Sequence, residues 1–190
     1  MNKIQIIVNN GAGTGSAVAV WKETKEYLQE NKISYNAYLT RYEKHAVKLA
    51  GQICEKIPEG PIYLLVVGGD GTINEVLNGI TDFDRVRLGV IPTGSGNDFA
   101  RNLGILRNTR EDLQEITACI GQEQNGEKLQ RIDLGKVSWE GCEKPRIFGI
   151  SAGAGLDAIV CKKALHSKLK KILNRFHLGK LTYLMLTVQT

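Results

Sequence analysis

Four short apolar runs rich in β-branched residues, each followed by a stretch of helical period, leave few folds open to this chain. "KIQIIVNN" leads into "SAVAVWKETKEYLQENK", "ISYNAYLT" into "EKHAVKLAGQICEKI", "PIYLLVVGG" into "TINEVLNGI", and "VRLGVIP" into "GNDFARNLGI" and "TREDLQEITACIG". Continuous apolar runs closed by Asn, Gly or Pro suit strands buried on both faces. In the first helical segment Ser16 can cap, and Val20, Trp21, Thr24, Tyr27 and Leu28 recur at helical spacing. Strands that alternate with helices pair in parallel, because a parallel connection needs a crossover and the helix provides it. The predicted fold class is α/β, a doubly wound parallel-sheet domain. From about Leu129 the rhythm changes to "LQRIDLGKVSWEG" and "KPRIFGISAGAG", two runs around a turn-rich gap at Gly141 and Pro145, which predicts antiparallel hairpin pairing. The polar "GQEQNGEK" before them is a candidate boundary.

In an open α/β sheet, ligands sit beyond the carboxyl ends of the strands, where helix N-termini point their amides outward. Three of the four predicted strand ends carry glycine there: "NNGAGTGS", "GGDGT" and "PTGSGND". Glycine admits φ > 0 and leaves no Cβ between backbone amides and a phosphate. One such loop could be just a tight turn; three on one sheet edge point to a polyanionic ligand. The standard phosphate motifs fail, however. Gly11, Gly13 and Gly15 are followed by Ser16, so GxGxxG lacks its third glycine, and no Gly-Lys-Ser/Thr completes a Walker A loop. Asp70 could cap its own helix, which would be worth about 1 kcal/mol. Beside a triphosphate, its charge requires a divalent cation or a transferred proton to offset the repulsion.

The chain has 190 residues, 42% hydrophobic, enough for one sizeable core or one core and a small second. No apolar run approaches the ~20 residues of a membrane helix, the nearest being "LTYLMLTV". With no leader pattern after Met1, the expected compartment is the cytoplasm. Cys54, Cys119, Cys142 and Cys161 form no CxxC pair and are expected to be reduced thiols. His45, His166 and His177 have no catalytic partner in the sequence and are expected at the surface or in packing. The net charge of +5 is uneven: after Asp157 come seven basic residues, Lys162 to Lys180, and no acid, so the remainder carries −2. That basic segment is either a solvated helix face or a docking surface for an anionic membrane, where clustered lysines are worth about 1 kcal/mol each. No aromatic residues are interleaved with it, so nucleic acid is not an expected partner.

The residues "GGDGTINEVLNG" (Gly68 to Gly79) followed by "GVIPTGSGNDFARNLGI" (Gly89 to Ile105) resemble the catalytic domain of the diacylglycerol kinase family. That family includes sphingosine and ceramide kinases, and the match is closest to its soluble bacterial members. "IDLGKV" (Ile132 to Val137) and "GAGLDAIV" (Gly153 to Val160) look like the opening strands of that family's second domain. GGDGT by itself is shared with NAD kinases and phosphofructokinases; the two motifs in this order are far more specific. The resemblance implies an NAD kinase/phosphofructokinase-like fold, with residues 1–128 an ATP-binding kinase domain and 129–190 the beginning of a β-rich second domain. It also implies transfer of the γ-phosphoryl group of ATP, with Mg²⁺, to the primary hydroxyl of diacylglycerol or a related lipid.

Carried over position by position, Asn9, Asn10, Gly11, Ala12 and Gly13 match the first nucleotide-contacting turn, and Thr40 matches a threonine at the end of strand two. Gly68, Gly69, Asp70, Gly71 and Thr72 match the phosphate loop, with Glu75 just beyond it, and Thr93, Gly94 and Ser95 a further nucleotide contact. Asn97, Asp98 and Asp133 match positions on the acceptor side. Asp70 is expected to handle Mg²⁺-ATP as the metal-side carboxylate and to share in proton transfer. Two departures stand out. The family's first turn reads Asn-Pro-x-Ser-Gly, whereas Asn10 and Ala12 stand here for its Pro and Ser. The family's main catalytic carboxylate and structural Mg²⁺ site are expected beyond Thr190. Two alternatives stay open: an NAD kinase, which would share GGDGT without explaining "PTGSGNDFAR", and a regulatory nucleotide-binding module without catalysis. A homodimer is admitted but not specified by the sequence.

Overall fold

The computed structural model describes residues 3–9, 11, 16–105, 108–122, 129–155 and 158–159. The chain separates into a compact unit Met1–Ile150 and a second, Ser151–Thr190, and the elements below belong to the first. The segment Lys162 to Lys180, with His166 and His177, lies outside the described residues, as do Asn10, Ala12 and Gly13 of the first turn.

Four strands, β1 (Ile4–Val8), β2 (Tyr35–Leu39), β3 (Ile62–Gly68) and β4 (Val86–Pro92), form one sheet in the order β2-β1-β3-β4, every neighbouring pair parallel. The helices are α1 (Ser16–Glu30), α2 (His45–Lys56), α3 (Asp70–Leu77), α4 (Asp98–Asn102) and α5 (Thr109–Gln122). All seven residues of β3 are buried, as its unbroken apolar sequence requires of a strand covered on both faces. Successive side chains alternate between two cores. Ile62, Leu64 and Val66 join Ala46, Ala50 and Ile53 of α2, Ile73 and Val76 of α3 and Phe99 of α4. Leu65 and Val67 join Ile4, Ile6 and Val8 of β1, Trp21 and Leu28 of α1, and Leu113 of α5 on the other face. The sheet is therefore wound on both sides, as predicted. The buried stripe of α1 is Ala17, Trp21, Thr24 and Leu28, while the expected Val20 and Tyr27 pack only partly buried beside it. On this face Arg110 and Glu30 form an exposed bidentate pair between α5 and α1. The guanidinium's hydrogen bonds hold the Glu30 carboxyl below its ordinary range, but at such exposure the pair contributes little.

The polar change after residue 129 ends in an antiparallel pair, β5 (Gly135–Val137) with β6 (Arg146–Phe148), joined through a turn with Gly141 at φ 79°. Among the described residues no helix is long and apolar enough to cross a membrane.

The carboxyl ends of the strands are level. Val8 stands opposite both Leu39 and Val67, and Val67 opposite Ile91. The three glycine turns therefore leave the sheet side by side, about 4.8 Å apart per strand.

Candidate functional site

The turns after β3 and β4 meet backbone to backbone. A Cβ on Gly69 would lie 3.0 Å from Gly94 Cα, and one on Gly94 would lie 2.9 Å from Gly69 Cα and 2.9 Å from Asn97 Oδ1. This corrects one expectation from the sequence. None of Gly68, Gly69, Gly71, Gly94 and Gly96 has positive φ; glycine is required at positions 69 and 94 because the two turns pass too close for a side chain. Asn97, itself left-handed at φ 54°, closes the second turn by accepting from Gly94 N at 2.9 Å and donating to Gly94 O at 2.8 Å.

α3 is the organising element. Its N-cap is Gly69, which has no side chain to spend on the amides of the first turn. Two neighbouring helices likewise start without a capping side chain of their own, at Lys44 for α2 and Asn97 for α4. Both are capped from α3. Asp70 accepts from Asp98 N (3.2 Å) and Phe99 N (3.1 Å) at the start of α4. Glu75 accepts from Lys44 N (3.0 Å) and Ala46 N (3.2 Å) at the start of α2. The Asp70 charge thus rests against the amide end of another helix, which lessens its repulsion toward an anion at the start of α3. Each carboxylate oxygen retains a second lone pair for a water or cation.

The first turn is tied to the same helix. Asn9 donates through Nδ2 to Thr72 Oγ1 at 2.8 Å and accepts through Oδ1 from Gly11 N at 3.1 Å. Thr40 extends β2 by donating its amide to Val8 O at 2.9 Å. His45, expected at the surface or in packing, stacks on Tyr42 with ring centroids 4.3 Å apart, and its Nδ1 accepts from Arg41 N. The 40–45 segment is therefore held at both ends, by His45 and by Glu75.

Two features of this edge suit a bound phosphate. A Cβ on Gly71 would meet nothing within 4 Å, so the start of α3 faces open space. Thr93, 5% exposed, holds a buried Oγ1 that finds no hydrogen-bond partner among the described residues. A buried hydroxyl in that state is costly unless a ligand completes it. Ser95 is exposed beside it, Asp98 is exposed and paired with Arg101 at 2.6 Å, and Asp133 is exposed two residues ahead of β5. No group of three or more His, Cys, Asp or Glu side chains among the described residues is placed to hold a metal.

Local sequence rules assign Asp70 and Glu75 to their own helix or to a ligand, and miss that both cap other helices. Asn78 is missed altogether: its side chain donates to Ile147 O at 2.8 Å and accepts from Ile147 N at 3.0 Å.

Fold and turns together define a doubly wound α/β domain with glycine-bearing turns at the carboxyl edge of the sheet. Residues 3–137 match the family model of the diacylglycerol kinase catalytic domain. The Bacillus subtilis (strain 168) protein named "Putative lipid kinase YtlR" is 32% identical over 180 residues, covering 93% of this chain and 55% of that one. A diacylglycerol kinase of the same strain is 36% identical over 144 residues, covering 73% and 41%. A solved diacylglycerol kinase structure from Bacillus anthracis str. Sterne superposes with a TM-score of 0.52 at 30% identity, covering 61% and 39%. The chain belongs to the diacylglycerol kinase catalytic domain family, and its fold is the NAD kinase-like α/β fold of those kinases. It spans about half the length of the curated relatives it matches.

Proposed function

We propose that this chain carries the nucleotide half of an ATP-dependent lipid kinase, which transfers the γ-phosphoryl group to the primary hydroxyl of diacylglycerol or a related lipid. The observation that carries the reading is the joined pair of turns, Gly69 against Gly94 with Asp70 bridging to α4, beside a start of α3 that is open at Gly71. Family membership favours a lipid acceptor over NAD. When bound, Mg²⁺ would neutralise charge developing on the transferred phosphoryl group.

The chain's own residues position and compensate. First-turn amides of α3, with the adjacent glycine backbone, receive phosphate oxygens. Thr93 Oγ1 donates to the nucleotide, and Asn9 keeps Thr72 and the first turn in register. Asp70 orients the cation and holds the Asn97–Asp98 turn on the acceptor side. Glu75 acts from behind, fixing the segment that carries Thr40. The basic segment Lys162 to Lys180 would meet the membrane surface on which the lipid is presented, with the protein otherwise cytoplasmic.

The test is transfer of labelled γ-phosphate from Mg²⁺-ATP by the full-length protein, offered diacylglycerol, sphingosine, ceramide and NAD in mixed micelles. Label in a phosphorylated lipid supports the reading. Label in the dinucleotide alone would replace it with NAD kinase, and no label with intact ATP binding would leave a regulatory module.

Gly71 supplies a separate check. Ala at this position of α3 finds open space and a better helix former, so Gly71→Ala should unfold no earlier than the parent and can gain up to about 1 kcal/mol. The added methyl projects where phosphate would approach, so ATP affinity should fall about tenfold or more, equivalent to 1.4 kcal/mol per decade. Isothermal titration beside thermal unfolding reads both. A variant that binds ATP as tightly as the parent would move the phosphates off α3.

A further inference from the structure

The hairpin β5–β6 lies outside the four-stranded sheet, yet it is fixed to the nucleotide-side helices at two independent points. The first is Asn78, immediately after α3. Its side-chain amide makes a two-way pair with the backbone of Ile147, donating to the carbonyl (2.8 Å) and accepting from the amide (3.0 Å), as a neighbouring strand would. The same Nδ2 also donates to Asn74 O at 2.8 Å, which holds the side chain against its own helix. The second point is Gly149, at the end of β6. A Cβ there would stand 2.7 Å from the Phe99 ring and 3.1 Å from Leu77 Cδ1, so β6 runs down onto α4 and α3 with no room for a side chain. Ile147 and Leu134 pack against the same core as Phe99 and Leu77.

Phe99 is in turn held by Asp70, whose carboxylate accepts from its amide. Two routes therefore run from the phosphate loop to β6: along α3 to Asn78, and through Asp70 and α4 to Phe99 and Gly149. We infer that Asn78 is a positioning residue, which sets β6 in register with the nucleotide bound at the start of α3. The inference rests on the lipid kinase reading and specifies which side chain ties β6 to the helix of the phosphate loop. Asn78 touches neither phosphate nor lipid; it acts through Ile147. In-line transfer tolerates little misplacement, and an error of about 1 Å between the reacting groups can cost on the order of 10²-fold. Losing Asn78 should therefore reduce transfer to the lipid and spare nucleotide binding.

The experiment compares full-length wild type, Asn78→Ala, Asn78→Asp and Gly149→Ala. Asn78→Asp can still accept from Ile147 N but sets a carboxylate against Ile147 O. The readouts are kcat and KM for diacylglycerol in mixed micelles, Kd for ATP by titration, and ATP hydrolysis without lipid. For Asn78→Ala the expected result is a fall of about 10–100-fold in kcat/KM for lipid, with ATP Kd within about twofold of wild type and lipid-independent hydrolysis retained. Asn78→Asp should fall similarly, and Gly149→Ala should show the same split by displacing β6 from Phe99. If Asn78→Ala does not fold, Asn78→Asp, which keeps one of the two hydrogen bonds, provides the comparison. Unchanged lipid turnover in the Asn78 variants would overturn the inference, as would ATP affinity falling in step with lipid turnover. A wild type that binds ATP and phosphorylates no lipid would overturn the kinase reading itself, and this inference with it.

Discussion

Asp70→Ala should sharply reduce phosphoryl transfer and also lower the melting temperature, because one carboxylate serves two ends. Its oxygens accept the amides of Asp98 and Phe99 at 3.2 and 3.1 Å, and no side chain at the α4 N-cap can take over, since Asn97 is committed to Gly94. Removing a cap of this kind costs about 1–2 kcal/mol. The loss of rate should be larger, on the order of 10²–10³, as for removal of one preorganised electrostatic group. Asp70→Asn separates the two contributions. Its side-chain oxygen can still accept from one α4 amide, so part of the stability should return, whereas the charge that faces the cation is gone and activity should stay low. Thermal unfolding beside labelled phosphate transfer measures both, and Asp70→Asn retaining more than half the activity would reduce Asp70 to a cap.

The largest effect on stability is expected at Gly79→Ala. A Cβ there would be driven into the backbone carbonyl of Val47 and to 2.8 Å from Ala50 Cβ, where α2 crosses the end of α3. A backbone carbonyl inside a helix cannot swing aside as the tip of a side chain can. Overpacking of this kind costs about 1–3 kcal/mol, which in a unit of this size lowers the melting temperature by about 3–10 °C. Gly79→Val should be worse. The contrast with Gly71, in the same motif, is the sharper test: alanine at 71 is expected to preserve the fold and weaken the site, and alanine at 79 to weaken the fold. Equal melting temperatures for the two variants would contradict the packing of α2 on α3.

The closing of α2 and α4 by carboxylates of α3 also bears on how such a motif is read. In "GGDGTINEVLNG" the polar positions 70, 72, 75 and 78 each bond to a different part of the chain: α4, the first turn, α2 and β6. A motif of this kind joins the parts of a site as well as contacting the ligand, and a substitution within it can reduce activity by either route.

The sequence by itself determined the strand and helix order, the parallel sheet and the placing of glycine turns along one edge. These rest on short-range physics: β-branched apolar runs bury on both faces, helical spacing makes a stripe, and a parallel crossover requires the helix between. It also pointed to the antiparallel pair after residue 129, where turn residues separate two strand-like runs. Tertiary structure decided what the site residues touch. Asp70 meets residues 28 and 29 positions away, Glu75 meets residues 29 and 31 away, and Asn78 meets one 69 away. Capping rules look only three or four residues ahead, so helices closed by a side chain from elsewhere in the fold are invisible to them. The reason for glycine at 69 and 94 was hidden in the same way. Only with β3 and β4 paired side by side do the two turns come within 3 Å of where a side chain would stand, and that close approach excludes any residue but glycine.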